Sequence, residues 1–226
     1  MQKHIYKAVK AGQVRKAKKL CKLLVRSQSA ATLNVRKVTQ DNKGKKTASV
    51  DRITYLKPKE RTTLVNELMS LAKGNWKKYF AKPILRFYIP KKNGKMRPLG
   101  IPTIFDRAVQ GIFKTALEPV FEAKFESNSY GFRPAHNAVD AITLIHKNLC
   151  KAEKWVLDAD IKGCFDNINH DSLLKLMEDI NPSDKKIVRQ WLKSGVMDKQ
   201  IFSPLDKGTP QGGIISPLLA NILCHW

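Results

Sequence analysis

Residues 84–102 read ILRFYIPKKNGKMRPLGIP and contain the pattern on which the fold assignment depends. ILRFYIP at 84–90 predicts a strand, KKNG predicts its turn, and MRPLGIP at 96–102 predicts the returning strand of a hairpin. Thr103 and Asp106 suit the start of a helix that continues to Val120. A hairpin followed by a long helix indicates that the body of the protein contains a sheet.

The chain beyond this point alternates between helical and strand patterns. A helix is expected through Val139, Ile142, Ile145 and Leu149, and the alternation in KWVLDADI at 154–161 predicts a strand. Two further helices are expected at about 171–180 and 184–194, and GTPQGG at 208–213 predicts a glycine-rich loop before a last helix. Strands alternating with helices predict an α/β fold, α+β in its arrangement.

The residues before the hairpin predict a helical, basic region. Residues 13–26 place apolar residues on one face of a helix and lysines and arginines on the rest. TQDNKGKKTASVD at 39–51 has no periodicity and predicts a loop that exposes positive charge. Pro58 is expected to begin another helix, which continues to about Ala72.

The positive charge of the chain lies at one end of the sequence. The 226 residues include 42 Lys and Arg against 19 Asp and Glu, a net charge of +23. Residues 1–100 carry 27 of the basic residues and four acidic ones, so they hold the whole excess. A field of this size favours a polyphosphate partner over a merely solvated basic face, and RNA or DNA is the expected partner.

A membrane partner and a disulfide framework are both disfavoured. The apolar face of residues 13–26 has no Trp or Phe, which an interfacial helix would present to lipid. No secretory signal follows the first residues, and IISPLLANILC at 214–224 is too short to span a bilayer. The four cysteines form no C-x-x-C pair, so we expect reduced thiols in a soluble, intracellular protein.

Two acidic residues and one aromatic residue are candidates for chemistry near the predicted strand. Asp158 and Asp160 lie two residues apart and would point to the same side, where they could hold Mg²⁺. Ordinary surface acids at a strand end are the alternative. Phe165 is either a ring beside the ligand of Asp160 or a core aromatic.

The hairpin turn and the glycine-rich loop are candidates for binding an anion. Lys91, Lys92, Lys95 and Arg97 surround Gly94, and Arg97 can make a bidentate contact to phosphate, although a generic basic hairpin has the same pattern. GTPQGG lacks the lysine of a P-loop. Its glycines permit close approach of the backbone to a ligand, and Gln211 can both donate and accept hydrogen bonds.

Six blocks together resemble, in order and spacing, the reverse transcriptase/maturase that group II introns encode. They are NVRKVTQDNKGKKTASVD (34–51), IPKKNGKMRPLGIP (89–102), DRAVQ (106–110), YGFRP (130–134), ADIKGCFDNI (159–168) and GTPQGGIISPLLANI (208–222). The resemblance implies the fingers and part of the palm of a right-hand polymerase. It also implies a basic helical amino-terminal extension at 1–80 and the fingers and partial palm at 81–226.

The resemblance also implies residue roles. Asp160 matches a catalytic, metal-binding aspartate, and the Ile161 carbonyl matches its companion ligand; Asp158 matches no metal ligand. Phe165 matches the aromatic that excludes ribonucleotides. Lys91 and Arg97 match residues that hold the incoming triphosphate, and Gln211 and Gly212 match the loop that lines the nucleotide and template site. The candidate RNA-binding residues of the extension are Arg36, Lys37, Lys43, Lys45 and Lys46.

The family's second catalytic block, Tyr-Ala-Asp-Asp, is not found before the sequence ends at Cys224-His225-Trp226. We therefore expect a truncated gene, one part of a split protein or an excised piece. Such a chain would hold Mg²⁺ weakly or not at all, where the complete family enzyme uses two ions. Its last helix is expected to be partly exposed.

The expected partners are intron RNA, an RNA template with a DNA primer, deoxynucleoside triphosphates and a separately encoded carboxy-terminal segment. The expected compartment is a bacterial cytoplasm, a chloroplast or a mitochondrion. Two functions remain open. The chain is either the amino-terminal part of an RNA-directed DNA polymerase/maturase, or a non-catalytic RNA-binding splicing helper or remnant of a truncated gene.

Overall fold

The computed structural model describes residues 1–90, 94, 96–151 and 153–225, and it confirms a mixed α/β fold. The described residues form nine α-helices: α1 (Gln2–Lys10), α2 (Val14–Leu24), α3 (Gln28–Arg36), α4 (Pro58–Lys73), α5 (Ile104–Glu122), α6 (Ala138–Leu149), α7 (His170–Leu176), α8 (Pro182–Leu192) and α9 (Ser216–Cys224). They also form four strands: β1 (Ile84–Pro90), β2 (Met96–Ile101), β3 (Val196–Asp198) and β4 (Ile201–Ser203).

The four strands form one sheet in the order β2-β1-β3-β4. β1 pairs with β2 in antiparallel fashion, with Phe87 opposite Leu99, which confirms the predicted hairpin. β3 runs parallel to β1, with Val196 opposite Ile84, and β4 returns antiparallel to β3. The sequence did not predict β3 and β4, because three residues are too few to show an alternating pattern.

Helix α5 is the centre of the hydrophobic core. It begins where the Thr103 hydroxyl accepts a hydrogen bond from the Asp106 backbone N–H at 3.0 Å, as the sequence predicts. It is buried over most of its length and packs against α1, α2, α3 and α9. A single core cluster runs from Ile5 to Ile222, so the core is continuous across residue 80. The division into domains at that residue stays a prediction.

A buried polar network joins the segment after α4 to α5 and α8. The Tyr79 hydroxyl donates to Asp106 Oδ1 at 2.6 Å, and Trp191 Nε1 donates to the Tyr79 hydroxyl at 2.6 Å. Burial, followed by the nearby Asp106 charge, raises the pKa of Tyr79 well above its ordinary value. Burial also raises the pKa of Asp106, although its hydrogen bonds oppose the shift. Because its members are satisfied inside the core, this network fixes how the three elements meet.

The amino-terminal helices agree with the sequence in most positions. α2 buries Ala17, Cys21 and Leu24 as predicted, but Val14 in its first turn is 39% exposed. α4 begins at Pro58 and buries Leu64 and Leu68. Residues 39–51 were predicted to be a loop, but they contain the end of a π-helix (Lys37–Asp41) and a 3₁₀ turn (Lys43–Lys46).

The strand predicted at 154–161 is wrong. These residues form neither helix nor strand, and Trp155 and Leu157 are 104% and 90% exposed. No strand of the described chain lies beside them, so their backbone has no ladder of hydrogen bonds to join. The apolar side chains of α6 that the pattern predicts, among them Val139 and Ile142, are likewise exposed.

The last helix was expected to be partly exposed, and within α9 only its final residue, Cys224, is exposed. Leu218, Leu219 and Ile222 of α9 are buried, because the helix packs against α7 and α5. Within the described ranges, no helix combines the length and the apolar composition that are needed to cross a membrane.

Candidate functional site

The glycine-rich loop at 208–213 joins the hairpin to the segment that contains Phe165. On one side, the Gly100 N–H of β2 donates to the Gln211 carbonyl at 2.8 Å. On the other side, the Thr209 N–H donates to the Phe165 carbonyl, and the Gly208 N–H donates to the Ile168 carbonyl, both at 2.7 Å. The loop therefore brings together two blocks that lie far apart in the sequence. A cavity of about 700 Å³ opens beside it, lined by both.

Two glycines make this close approach possible. Gly212 has φ +126°, a conformation that side chains disfavour, and a Cβ there would lie 2.5 Å from the Gly100 carbonyl oxygen. A Cβ on Gly100 would lie 2.8 Å from the Cβ of Pro210. The loop and β2 can thus lie in backbone contact only because neither residue has a side chain.

Arg97 and Gln211, two of the predicted nucleotide-binding residues, contact each other. Arg97 Nε donates to Gln211 Oε1 at 2.9 Å, and the Arg97 side chain is exposed on β2. Its Nη1 and Nη2 have no partner among the residues that the structure describes, so they are available to an anion. Lys91, the other predicted triphosphate ligand, lies outside the described residues.

Phe165 lies at the edge of the core. It follows Gly163, which has φ +62°, within a 3₁₀ turn over Cys164–Asp166. Its side chain is half-buried against the core, and its ring contacts the Phe132 ring edge-to-face at 6.3 Å. Both interpretations of Phe165, a core aromatic and a ring facing a ligand, agree with this position.

Asp160 and the Ile161 carbonyl, the predicted metal ligands, lie on an exposed segment. Neither the Asp160 carboxylate nor that of Asp158 makes a hydrogen bond or an ion pair with another described residue. The described residues also contain no group of three or more His, Cys, Asp or Glu side chains that could hold a metal. This arrangement does not fit a site for two Mg²⁺ ions, which need several oxygen ligands each. The metal-binding role of Asp160 and of the Ile161 carbonyl stays a prediction.

The predicted RNA-binding residues lie at and after the end of α3. Lys37, Lys43 and Lys46 are exposed, whereas Arg36 pairs with Asp41 at 3.7 Å. Lys45 Nζ donates to the Gln40 carbonyl at 2.8 Å, so part of its bonding capacity is used within the protein.

Several residues that position these groups were not assigned a role from the sequence. Arg107 is buried on α5, and its guanidinium donates to the carbonyls of Gly44 and Thr47 at 3.1 and 2.5 Å. These bonds hold in place the 3₁₀ turn Lys43–Lys46, here called the lysine turn. Burial lowers the pKa of Arg107. Buried His170 contacts the Gly208 carbonyl through Nε2 at 2.7 Å. Arg107 lies in the quoted DRAVQ block, and Phe132, which contacts Phe165, lies in the quoted YGFRP block. Their presence in these blocks was the signal in the sequence that could have identified them.

The arginine of YGFRP is a structural residue. Arg133 is buried, and its guanidinium pairs with Glu122 at 2.5 Å and donates to the Ser129 carbonyl at 2.7 Å. Its charge is therefore used to fix the loop after α5.

Comparison with known proteins identifies the class to which this fold belongs. Residues 89–226 match the family model described as "Reverse transcriptase (RNA-dependent DNA polymerase)". Residues 1–68 match the model described as "N-terminal domain of reverse transcriptase". The chain belongs to the reverse transcriptase family.

Its relatives confirm the resemblance to proteins encoded by group II introns. The chain is 43% identical over 151 residues to "Group II intron-encoded protein LtrA" of Lactococcus lactis subsp. cremoris, a match that covers 65% of this chain and 25% of LtrA. It is 34% identical over 197 residues to "Protein YkfC" of Escherichia coli strain K12, covering 84% of this chain and 51% of YkfC. It is 31% identical over 179 residues to "Maturase-like protein 1" of Euglena gracilis, covering 77% and 38%. The chain thus spans from a quarter to about half the length of these relatives.

Solved structures support the fold. A chain of the structure entitled "Partial Cas6-RT-Cas1--Cas2 complex" superposes with a TM-score of 0.55 at 20% identity, covering 88% of this chain and 33% of that one. At this identity the likeness concerns the fold alone, and it agrees with the fingers and palm of a polymerase.

Proposed function

We propose that this chain binds intron RNA through its basic amino-terminal region and contributes one side of the template and nucleotide site of a reverse transcriptase/maturase. One observation carries the proposal. The excess positive charge of +23 lies within residues 1–100, and buried Arg107 holds part of it, the turn with Lys43, Lys45 and Lys46, in a fixed position. Because the backbone of the turn is already held, binding phosphate needs to order only the lysine side chains and not the turn itself.

The contacts around the loop at 208–213 support the polymerase part of the proposal. Arg97 does not line the cavity, but it lies exposed beside Gln211 and offers its unused N–H groups to an anionic group such as a triphosphate, while Gln211 orients its guanidinium. The glycine backbone allows a base or sugar to approach closely. The Phe165 carbonyl is bonded to the same loop, and its half-buried ring is suited to contact with the sugar of a deoxynucleotide.

The partners that we propose are an RNA template, a DNA primer, deoxynucleoside triphosphates and a separately encoded carboxy-terminal segment. We place the protein in a bacterial cytoplasm or an organelle, since its relatives come from bacteria and from eukaryotes.

A second candidate function is that of a non-catalytic RNA-binding splicing helper. It is favoured by the exposed position of Asp160, which no other described carboxylate joins in a metal-binding group. Under this function the basic region would bind RNA in the same way, but the cavity beside the loop would bind no nucleotide.

A salt titration of RNA binding tests the proposal. The whole chain is titrated into a fluorescently labelled, structured intron RNA at several KCl concentrations, and the slope of log K against log salt is measured. Each neutralised phosphate contributes roughly −0.7 to −0.9 to the slope. Replacing Lys43, Lys45 and Lys46 by Ala should make the slope shallower by about 1 to 2 and weaken binding to most RNAs alike.

The control variant is Lys186→Ala/Lys193→Ala, which removes exposed charges at α8. We expect it to bind as the parent does. If the triple variant has the same slope as this control, the lysine turn is not part of the RNA interface, and a parent chain without salt-dependent binding would disprove the proposed function.

A further inference from the structure

A second cleft, of about 640 Å³, lies between the carboxyl-terminal ends of α2 and α4 and shares no lining residue with the cavity beside the loop at 208–213. Five of its nine lining residues are basic: Lys22, Arg26, Lys73, Lys77 and Lys78. None of the lining residues is acidic, and none of the five cations forms an ion pair with another described residue. We propose that this basic cleft binds the phosphodiester backbone of an RNA duplex.

The proposal rests on the proposed function, because it assumes that the chain binds RNA, but it names a different site. None of the sequence-predicted RNA-binding residues lines the basic cleft. The blocks that resemble group II reverse transcriptases also leave it out, since they skip residues 52–88 and everything before residue 34.

The backbone that carries Lys77 and Lys78 is anchored on both sides. Trp76 and Tyr79, which flank the two lysines, are 4% and 2% exposed. The Trp76 ring contacts the Phe113 ring at 5.3 Å, and the Tyr79 hydroxyl donates to Asp106. The two ammonium groups are therefore presented from a rigid turn.

The turn itself has an uncommon conformation. Asn75 and Trp76 have φ values of 55° and 60°, in the left-handed region that residues other than glycine rarely adopt. This conformation reverses the chain after α4, which places Lys77 and Lys78 on the same cleft as Lys22 and Arg26 of the α2 end. Burial of the Trp76 side chain holds the reversal in place.

The electrostatic balance of the basic cleft favours an anion by a wide margin. The carboxyl-terminal ends of two helices contribute roughly half a negative charge each, whereas the side chains contribute five full positive charges. Asp184 interacts with Lys22, but it is buried, and burial raises its pKa. Asp184 does not line the cleft, and Lys22 is the one cleft cation with which it interacts.

The shape and lining favour a nucleic acid backbone over a membrane surface. Leu71 is the one aliphatic side chain on the lining, so the basic cleft offers little apolar area to insert into lipid. Lysines act as point charges and contact phosphates without reading sequence, and Arg26 can contact a phosphate with two N–H groups. Ser70 and Asn75 add polar groups that can hydrogen-bond phosphate or ribose oxygens.

The test compares Lys77→Ala/Lys78→Ala with the charge-matched Lys186→Ala/Lys193→Ala in the whole chain. Binding to two RNA hairpins of unrelated sequence is measured by fluorescence anisotropy over a range of KCl concentrations. The cleft variant should lower the salt slope by about 1 to 2 for both hairpins alike, and the control should not. A cleft variant that behaves as the control does would overturn the proposal.

The same experiment separates this proposal from the proposed function. If replacement of Lys43, Lys45 and Lys46 weakens RNA binding while the cleft variant binds as the parent does, the proposed function stands and the basic cleft is rejected. If the parent shows no salt-dependent binding, the proposed function fails, and the proposal for the cleft fails with it.

Lysine acetylation gives a readout that does not depend on any variant. Bound RNA should protect Lys22, Lys73, Lys77 and Lys78 from an acetylating reagent, as detected by mass spectrometry, while Lys186 stays reactive. Equal modification with and without RNA would overturn the proposal. So would a cleft variant that loses binding to phosphatidylserine vesicles or to polyglutamate but keeps the RNA affinity of the parent.

Discussion

Arg97 shows how a single residue is prepared for a ligand at the candidate site. One of its donors, Nε, is committed to Gln211, which fixes the plane of the guanidinium. The remaining donors have no partner among the described residues, so that an anion can bind them without first breaking a protein contact. The orientation of the Phe165 ring is likewise fixed by its neighbours, because the ring contacts Phe132 on one side and the core on another.

Phe165→Val should allow ribonucleotides into a polymerase assembled from this chain and a segment that supplies the Tyr-Ala-Asp-Asp block and the thumb. A ring packed against C2′ of the incoming sugar excludes a 2′-hydroxyl, and Val leaves room for it. We expect discrimination against ribonucleotides to fall at least about tenfold, the scale on which methylene-sized differences in a pocket act. The measurement is the ratio of kcat/KM for a deoxynucleotide to that for the matching ribonucleotide.

Phe132→Val is the matched control, because it removes the other ring of the same edge-to-face pair. Phe132 is 67% exposed, so the variant should lose less packing energy than Phe165→Val, and it should keep the sugar discrimination of the parent. If both variants discriminate as the parent does, Phe165 is only a core aromatic.

Among the contacts between secondary-structure elements, the candidate site depends on the one between the loop at 208–213 and β2. Its backbone hydrogen bond joins residues more than a hundred positions apart, and the loop also bonds to the segment of Phe165. A change that separates the loop from β2 would therefore move Gln211 away from Arg97.

Gly212→Ala should destabilise the protein by about 2 kcal/mol or more. The new Cβ would lie 2.5 Å from the Gly100 carbonyl oxygen, in addition to the cost of the positive φ. Gly12→Ala has a positive φ but no atom within 4 Å, so it should cost only about 1 kcal/mol. Gly131→Ala has neither problem and should be close to neutral.

The free energy of unfolding of each variant, measured in urea, checks this order. A Gly212→Ala protein as stable as Gly131→Ala would mean that the loop does not contact β2 as the structure places it.

Elements with strong local signals were predicted from the sequence. The caps of α4 and α5, the periodicity of α2 and the two strands of the hairpin each depend on residues that are close in sequence, whereas the predicted turn lies largely outside the described residues. The strand predicted at 154–161 was wrong because a strand also needs a neighbour, which an alternating pattern cannot supply. β3 and β4 were missed for the converse reason: their pairing with β1, and not their three-residue sequences, makes them strands.

At the scale of the whole molecule, the candidate site could be predicted in part. The resemblance named Arg97, Phe165, Gln211 and Gly212, and the structure places all four around one loop. The buried residues that hold them, and the contact between Arg97 and Gln211, depend on tertiary packing that spacing along the chain does not encode. The basic cleft was missed for the same reason, because its five cations come from two helix ends that meet only in the fold.

The two halves of the chain differ in net charge. Residues 1–100 carry the net charge of +23, while residues 101–226 are balanced and supply Asp160, Phe165 and the loop at 208–213. The shared core fixes these two halves against each other, so under the proposed function RNA on the basic half would lie in a defined relation to the loop.

The 226-residue polypeptide alone should bind an RNA template but extend no primer. Nucleotidyl transfer by a two-metal site needs carboxylates that hold two cations roughly 4 Å apart. Among the described residues, Asp160 belongs to no group of three or more His, Cys, Asp or Glu side chains that could hold a metal. Incubation with primer, RNA template, deoxynucleotides and Mg²⁺, followed by denaturing gel electrophoresis, should show unextended primer.

Adding a separately expressed segment with the Tyr-Ala-Asp-Asp block and the thumb supplies the positive arm of this experiment. If the two pieces dock, extension should appear, and Asp160→Ala should abolish it. Asp158→Ala is the matched control, since it removes an equally exposed carboxylate two residues away and should leave extension intact. Extension by the unsupplemented chain that is lost in Asp160→Ala and kept in Asp158→Ala would contradict the prediction, because a single aspartate would then suffice to organise the reaction.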